Sequence, residues 1–267
     1  MRGVVFDVKA DLAFFRRPDT TNTQLTYPFM TPTAIKGLAG AILGIEDFVT
    51  GDRVGLSLLA PIRTVAQQMS MLGKDTGSST FNRPTTIEVI VSPVYRIYYA
   101  GNDKAEQLAQ FLKEGKSVCH TYLGSAFALT KPIFVREVES VDILQDVSEV
   151  ETTTVVPTRF VESIVPESGK YYSRAGGFMH RYLGGRVFER SVDYIYERFG
   201  RSIRFIPKRD IDPDDGLICR FGEDVVCLVR FFSRIALQGR MMETVVIRLR
   251  IICAIRPVCW RKIGTIR

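Results

Sequence analysis

The sequence contains few of the residues and motifs on which common catalytic sites depend. It has two histidines, His120 and His180, and neither lies at a spacing typical of a metal site or a nucleophile triad. Neither a GxxxxGK[ST] sequence nor a strand-linked GxGxxG sequence occurs. Nucleotide hydrolysis and dinucleotide chemistry therefore have no support, and we expect neither a cofactor nor a metal.

Cysteine motifs, a signal peptide and long apolar runs are also missing. The five cysteines form no CxxC pair, so a structural zinc site is not expected. An odd number of cysteines without a secretion signal indicates reduced, mostly buried thiols. No run approaches the ~18 apolar residues that a membrane span needs, and the N-terminus is unlike a signal peptide. We therefore expect a cytoplasmic protein with no membrane partner.

Positive charge is concentrated at the C-terminal end. The net charge is +7, but residues 230–267 hold nine basic residues and one acid, whereas the rest of the chain holds 27 basic and 28 acidic residues. Two interpretations of this tail stay open, a basic interaction segment and an extension outside the fold, and we favour the second. The overall charge is thus poor support for an acidic partner of the body.

Apolar spacing predicts strands and helices in an order typical of an α+β fold of the ferredoxin-like kind. The next region, residues 150–228, is rich in strand patterns and poor in helix signals, and we expect it to extend the first part with antiparallel strands. The predicted elements are a half-buried strand at 3–15, a helix from Pro32 to Gly44 capped by Thr31, a strand at 53–66, a long β segment at 87–99 broken at Pro93, a helix at 103–114 and a strand at 132–138.

The first helix is unusual because its apolar stripe is interspersed with glycines. The glycines, at three- and four-residue intervals, would leave a smooth ridge where another backbone can approach, belonging to the protein's own sheet, to RNA or to a neighbouring subunit. Lys36 has Thr33 and Gly40 as helical neighbours, so we expect its ammonium to be unpaired and free to meet a phosphate. The glycines are Gly37, Gly40 and Gly44, and the stripe is formed by Ile35, Leu38, Ala39 and Ile42.

Two further segments combine cations, glycines and large apolar side chains. In residues 174–186 the arginines could contact phosphates, and Phe178 and Tyr182 could stack on bases; a hairpin with glycine turns and a solvated arginine face is the alternative. Residues 67–86 have the composition of a long loop or flexible hairpin that could follow a nucleic-acid backbone, or of an ordinary surface loop. The side chains concerned are Arg174, His180 and Arg181 in the first segment and Met69, Met71, Lys74, Phe81 and Arg83 in the second.

Several stretches together resemble a known family. They are FDVKADLAFFRRPDTTNTQLTYPFMTPTAIKGLAGAILGIE (6–46), RPTTIEVIVSPVYRIYY (83–99), TYLGSAFAL (121–129), IYERFGRSIRF (195–205) and GEDVVCL (222–228). Residues 1–228 are thereby similar to the fifth CRISPR-associated (Cas) family of the RAMP superfamily, whose members are subunits of type I Cascade effector complexes. The YPFMTPTAIKGLAGAILG form looks most like the type I-B group.

The resemblance implies a fold, partners and contact residues. It implies a ferredoxin-like (RRM-related) domain at 1–149 with a thumb hairpin at about 67–86, a β-rich part at 150–228, and a tail at 229–267 without counterpart. It implies a subunit that caps the filament, holds the 5′ handle of crRNA, contacts the adjacent backbone subunit and the large subunit, and meets target DNA through the assembled complex. The expected RNA-binding residues are Arg16, Arg17, Tyr27, Lys36, Lys74, Arg83, Arg174, His180 and Arg181, with Met69, Met71 and Phe81 on the thumb.

One branch of that family, from type I-C systems, cuts precursor crRNA with a tyrosine, a lysine and a histidine. Tyr27, Lys36 and either His120 or His180 are the candidates for those roles here. Metal-free RNA cleavage needs a base for the 2′-hydroxyl and a cation for the phosphate. Because the chain looks more like the type I-B group, in which a separate protein cuts the precursor, we expect a non-catalytic RNA-binding subunit and keep the endoribonuclease as the alternative.

Overall fold

The computed structural model describes residues 1–20, 22–46, 50–74, 80–102, 104–184 and 187–230. Of the tail predicted at 229–267, Val229 and Arg230 belong to the last strand of the central sheet, where they pair with Val54 and Arg53, so the predicted boundary is too early. The rest of the tail, from residue 231 onward, lies outside the described residues, and the two interpretations offered for it concern that part.

The described chain is mostly β-structure with two helices. The helices are α1 (Pro32–Leu43) and α2 (Ala105–Lys113), and a short 3-10 turn covers Thr158–Phe160. The sixteen strands are β1 (Arg2–Lys9), β2 (Leu12–Ala13), β3 (Arg53–Leu58), β4 (Thr64–Lys74), β5 (Thr80–Val91), β6 (Val94–Gly101), β7 (Ile133–Val138), β8 (Asp142–Ile143), β9 (Val150–Thr152), β10 (Val156–Pro157), β11 (Val161–Ile164), β12 (Tyr172–Gly184), β13 (Val187–Glu197), β14 (Ile203–Pro207), β15 (Gly216–Phe221) and β16 (Asp224–Arg230).

A seven-stranded antiparallel sheet forms the centre of the molecule. Its strand order is β7-β1-β6-β3-β16-β15-β8. The chain enters α1 between β1 and β3, and α2 between β6 and β7. Both helices pack on the same face of the sheet, where burial of apolar side chains provides the main stabilisation. This core includes Val4, Phe6, Val8, Ile35, Leu38, Ile42, Leu108 and Leu112.

The opposite face of β1 is buried in its first half, at Gly3 and Val5, whereas Asp7 is partly exposed and Lys9 is exposed, so the predicted half-buried strand is correct only for its second half. Val5 is fully buried against residues of β6, β15 and β16. A Cβ at Gly3 would lie 2.1 Å from the Phe221 ring. Because β1 and β15 are separated by three strands in the sheet, this contact requires the sheet to curl onto itself. Alternation in the sequence could not reveal the curl, since the covering strands come near the end of the described chain.

Helix α1 follows its local sequence signals. The Thr31 hydroxyl accepts a hydrogen bond from the backbone N–H of Ala34 at 3.1 Å, and Pro32 opens the helix. Gly44 ends it in the left-handed conformation at φ 74°. The predicted start, stop and cap are therefore confirmed, as is helix α2.

Two of the predicted strands are divided in the structure. The strand predicted over 3–15 ends at Lys9 and resumes as the two-residue β2. The strand predicted over 53–66 ends at Leu58, and a new strand begins only at Thr64 in a different sheet. Pro61 lies in that break, consistent with the absence of a ladder donor in proline.

Three smaller sheets complete the fold. Their orders are β2-β5-β4, β10-β13-β12 and β11-β14-β9. The first and second contain long hairpins, formed by β4 with β5 and by β12 with β13. Within the segment predicted as a loop or flexible hairpin, residues 67–74 and 80–86 thus lie on the two strands of a hairpin.

Within the described residues, Cys119, Cys219 and Cys227 form no disulfide bond. Cys219 and Cys227 are buried, and burial raises the pKa of each thiol to about 12, which agrees with the reduced, mostly buried cysteines expected. Neither helix of the described chain is long and apolar enough to cross a membrane. Within the same residues, no group of three or more His, Cys, Asp or Glu side chains could hold a metal ion.

A buried carboxylate closes the turn after β13. Glu197 is 2% exposed and accepts hydrogen bonds from the backbone N–H groups of Tyr171 (3.0 Å), Phe199 (2.8 Å) and Arg201 (2.9 Å). Burial alone would raise the pKa of Glu197, but the hydrogen bonds from the backbones of Arg201, Tyr171 and Phe199 outweigh it, so the pKa lies below its ordinary value of 4.5.

We expect Glu197→Gln to lower the free energy of unfolding by about 1.5–3 kcal/mol at pH 7, because charge-assisted hydrogen bonds weaken. A folded-state pKa below the unfolded one stabilises the fold above the unfolded value, and this contribution disappears as pH falls through the folded pKa. Urea unfolding should therefore show the difference between wild type and variant shrinking below about pH 4.5. The exposed Glu162→Gln serves as control, and a difference that stays constant from neutral to acidic pH would refute this account.

Candidate nucleic-acid interface

The β4–β5 hairpin is the longest continuous antiparallel pair near the N-terminal motif. Its register runs from Thr64 opposite Ile90 to Lys74 opposite Thr80. The base of the hairpin is anchored by β2, which pairs with the end of β5. A small apolar cluster secures this base, with the buried residues Phe14, Ile87 and Val89 and the half-buried residues Leu12 and Met69.

No strand of the described residues pairs with the outer half of β5 on the side away from β4. Gln24 pairs with the inner part, donating to the Thr86 carbonyl at 2.8 Å and accepting from the backbone of Glu88 at 2.9 Å. Pro84, which has no N–H to donate, lies just beyond this pairing. Across the hairpin the Phe81 ring covers Gly73, where a Cβ would lie 2.8 Å from the ring. Glycine at this position therefore allows an aromatic side chain to lie flat over the strand.

A depression of about 310 Å³ lies between the outer hairpin and the loop that precedes α1. It brings together Arg16 and Arg83, two residues predicted to bind RNA, with Met71 of the predicted thumb. Both arginines are exposed, and neither forms an ion pair within the described residues. The remaining lining residues are Gln24, Leu72, Gly73 and Thr85. The depression therefore combines two unneutralised guanidinium groups with apolar and polar side chains.

Large apolar side chains project from the outer hairpin into solvent. Leu72 is 76% exposed, Phe81 48% and Met71 40%. Met69, in contrast, packs on the apolar cluster at the hairpin base and is not available as a wedge. Leu72 was missed by the sequence analysis, because its exposure becomes evident only from the register of the hairpin.

The other predicted cations near this region are placed differently. Arg17 forms an exposed ion pair with Asp19, with Nη2 and Oδ2 2.6 Å apart, and the hydrogen bond from Arg17 lowers the pKa of Asp19. Lys74 occupies the last backbone pair of the hairpin. The side chains of Lys74 and Arg181 lie outside the described part of the structure.

Lys36 is buried, and the expectation that its ammonium is free is wrong. The residue is 2% exposed, and its Nζ donates to the Thr50 hydroxyl at 2.9 Å and to the Asp52 backbone carbonyl at 2.7 Å. The ring of Tyr99 lies 5.0 Å from Nζ, and the Tyr99 hydroxyl donates to the Asp52 carboxylate at 2.9 Å. Lys36 therefore joins α1 to the segment before β3 and does not face a ligand.

The glycines of α1 do not form one open ridge. Gly37 is exposed, and a Cβ there would meet no neighbouring atom within 4 Å, whereas Gly40 is buried. The surface of α1 is thus divided between solvent and the protein core, so the three glycines do not form one ridge open to a ligand: Gly40 fits the alternative of packing within the protein, and Gly37 faces solvent.

Tyr27 and His180 lie in a buried aromatic cluster instead of on an open surface. The Tyr27 hydroxyl donates to the Gly177 carbonyl at 2.5 Å, and its ring stacks near Phe178 with centroids 4.5 Å apart. His180 is 3% exposed, and its Nε2 shares a hydrogen bond of 2.7 Å with the Tyr194 hydroxyl. Phe178 is fully buried, so the expectation that it stacks on a base is wrong. This cluster attaches the β12–β13 hairpin to the loop before α1.

The remaining candidates lie in two other places. Arg174 is exposed and forms an ion pair with Asp193, in which Nε donates to the carboxylate at 2.9 Å. His120 is exposed and lines a depression of about 270 Å³ at the end of α2, beside Lys116 and Lys131. The candidates for the alternative catalytic set therefore divide among the Lys36 network, the aromatic cluster and this depression.

A family model described as "CRISPR-associated protein (Cas_Cas5)" matches residues 3–114. Comparison with curated proteins gave no match. The match covers β1 through α2, and so includes the β4–β5 hairpin and the depression.

Solved structures give a second comparison. A chain of a "CRISPR RNA-guided surveillance complex" has a TM-score of 0.50 and 12% identity, covering 77% of this chain and 91% of its own length. A CRISPR protein from Archaeoglobus fulgidus has a TM-score of 0.49 and 15% identity, covering 86% and 100%. A chain of a type III-B Cmr-beta complex bound to cognate target RNA and AMPPnP has a TM-score of 0.41 and 10% identity, covering 76% and 86%.

Proposed function

We propose that this chain, whose residues 3–114 match a family model of CRISPR-associated Cas5 proteins, is a member of that family and a non-catalytic subunit of a type I CRISPR effector complex (Cascade). It binds the 5′ handle of crRNA and caps the backbone filament. The observation that carries the proposal is the depression in which the exposed Arg16 and Arg83 meet the side chain of Met71. Guanidinium groups bind phosphates, while exposed apolar side chains can pack against unstacked bases.

The strand order supports a ferredoxin-like first domain. The order β7-β1-β6-β3, with α1 and α2 as the two connections, is that of a βαββαβ unit with antiparallel strands. In this arrangement the β4–β5 hairpin is an insertion between the second and third strands of the unit. We propose that this hairpin is the thumb that folds over the guide RNA.

Within the complex, the chain contacts the adjacent backbone subunit and the large subunit, and meets target DNA through the assembly. The subtype that fits the N-terminal motif is type I-B, and the compartment is the cytoplasm. The similarity in fold to a chain of an RNA-guided surveillance complex supports the assembly part of this proposal.

The positions of the alternative catalytic residues favour binding without cleavage. A metal-free ribonuclease needs its base and its cation at the same phosphate. Lys36 and His180 are buried and hydrogen-bonded inside the protein, and Tyr27 donates to a backbone carbonyl. His120 is exposed, but it lies with Lys116 and Lys131 at the end of α2.

Incubation of the purified protein with 5′-labelled repeat RNA in EDTA tests the proposal. We expect the RNA to be retained on the protein and to stay intact, because Tyr27, Lys36 and the two histidines of the alternative catalytic set do not come together at one site. Gel electrophoresis under native conditions measures retention, and a denaturing gel measures integrity. Specific cleavage at the base of the repeat hairpin would overturn the non-catalytic assignment, and failure to bind handle RNA at low salt would overturn RNA binding.

A further inference from the structure

Two exposed aromatic rings and an arginine form a surface cluster where the residue before β12 meets the turn that follows β13. The rings of Tyr171 and Phe199 lie 5.6 Å apart at 62°, and they are 59% and 48% exposed. The guanidinium carbon of Arg201 lies 5.7 Å from the centre of the Phe199 ring. We call Tyr171, Phe199 and Arg201 the aromatic platform. An exposed group of this kind is unusual, because large aromatic side chains normally gain free energy by burial.

The platform is held rigidly from below. The carboxylate of Glu197 accepts a hydrogen bond from the backbone N–H of each of its three residues, and Arg201 Nη1 donates to the Gly169 carbonyl at 2.8 Å. Gly200 adopts φ +78°, and a Cβ there would lie 2.2 Å from the Leu58 carbonyl oxygen. The rings are therefore presented by a backbone that is fixed before any partner binds, which lowers the entropic cost of binding.

Unpaired positive charge surrounds the platform. Arg198 lies opposite Tyr171 and donates its backbone N–H to the Tyr171 carbonyl at 3.0 Å, while its own carbonyl accepts from Ile62. Arg63 follows directly, and both arginines are exposed without an ion pair in the described part of the chain. The carboxylate of Glu167 is paired with Lys170 at 2.6 Å. The surface thus offers guanidinium groups and aromatic faces together.

We propose that the aromatic platform binds single-stranded nucleic acid by stacking bases on Tyr171 and Phe199, with Arg63, Arg198 and Arg201 contacting phosphates. Exposed aromatic rings with flanking cations are the usual combination in sites that bind single strands without sequence preference. The excess of unpaired arginine favours a polyanion over a protein segment. This second contact deepens the proposed RNA-binding function and rests on it.

The position of the platform fits one continuous strand. Arg63 immediately precedes Thr64, the first residue of β4, whereas Met71 in the depression lies farther along the same strand. At about 3.3 Å per residue, Arg63 and Met71 are roughly 26 Å apart along the chain. A single strand of 20 nucleotides is long enough to contact both, since even a stacked strand rises about 3.4 Å per nucleotide.

Binding of a 20-nucleotide oligouridine and of an abasic 20-mer with the same phosphates tests the proposal on the full chain. We expect the double variant Tyr171→Ala/Phe199→Ala to bind oligouridine about tenfold more weakly than wild type and to bind the abasic strand equally well, because only stacking is lost. Phe127→Ala, which removes a ring of the same 48% exposure, should change neither affinity. Thermal unfolding checks that the variants fold. A second double variant, Tyr171→Leu/Phe199→Leu, keeps the apolar bulk but removes the π faces, and we expect it to lose the preference for oligouridine over the abasic strand as well.

The outcomes separate this inference from the proposed function. If the double variants bind oligouridine like wild type while Arg16→Ala/Arg83→Ala binds it weakly, the platform proposal is overturned and the proposed function stands. An equal loss for the abasic strand would also overturn base stacking. If wild type binds neither strand nor handle RNA at low salt, both proposals fail together. Cross-linking of 4-thiouridine RNA to peptides that contain Tyr171 or Phe199 would support the platform directly.

Discussion

Lys36→Met should lower the free energy of unfolding by about 3–5 kcal/mol. The ammonium is buried and donates to Thr50 and Asp52. Methionine keeps the length of the side chain but leaves these acceptors unsatisfied, and it removes the positive charge beside the buried Asp52. Chemical unfolding at pH 7 measures the loss.

Lys116→Met is the matched control for that replacement. Lys116 is exposed and its ion pair with Glu114 lies on the surface, so we expect a change of less than about 1 kcal/mol. Any Lys36→Met protein that remains folded at low temperature should bind handle RNA with an unchanged dependence on salt. Wild-type stability combined with a weaker dependence on salt would show that Lys36 contacts a phosphate after all.

The double variant Arg16→Ala/Arg83→Ala should bind handle RNA roughly 25-fold more weakly than wild type at 0.1 M salt. Each phosphate contact on a single strand contributes about 0.7 to the slope of log K against log salt, which corresponds to about fivefold in affinity at 0.1 M. Both side chains are exposed without an ion pair among the described residues, so their loss leaves no buried group unsatisfied. Fluorescence anisotropy with labelled handle RNA measures the affinity, and thermal unfolding should show an unchanged midpoint.

Arg204→Ala removes the same charge from a different surface. Arg204 is partnered by Glu149 in the β11-β14-β9 sheet, away from the depression. We expect this variant to bind handle RNA like wild type. If Arg204→Ala and the Arg16 and Arg83 replacements weaken binding equally, the effect comes from overall charge and not from the depression.

Local structure could be predicted from the sequence because its causes are local. The cap at Thr31, Pro32 at the first helical position and Gly44 at the end lie within one short segment and define α1 on their own. The break at Pro93, between β5 and β6, is another example. In each case the residues that determine the element are its immediate neighbours.

The environment of side chains could not be predicted in the same way. The partners of Lys36 lie beyond the end of its helix, and helical spacing therefore suggested an unpaired ammonium. Val5 is buried by strands that come near the end of the described chain. His180 finds its partner on the neighbouring strand, at Tyr194. These contacts depend on how distant segments assemble, which periodicity does not encode.

Some features of the candidate site could be predicted from the sequence, and others could not. Composition and resemblance identified Arg16, Arg83 and Met71, but the depression that joins them depends on the register of the β4–β5 hairpin and on the return of the N-terminal loop. The aromatic platform was not predicted, although Tyr171, Phe199 and Arg201 are all visible in the sequence. What brings them together is the carboxylate of Glu197, which accepts hydrogen bonds from the backbones of two separate segments of the chain.

The salt dependence of handle-RNA affinity tests the central claim most directly. The slope of log K against log salt depends on the number of phosphates that the protein contacts, and the claim is that Arg16 and Arg83 contact two of them in the depression. Kd should be measured for wild type and for Arg16→Ala/Arg83→Ala from about 0.05 to 0.2 M salt, with the RNA in EDTA. The account predicts that the slope of log K against log salt decreases by about 1.4 units in the double variant. An unchanged slope would contradict it and would show that the RNA binds another face of the protein.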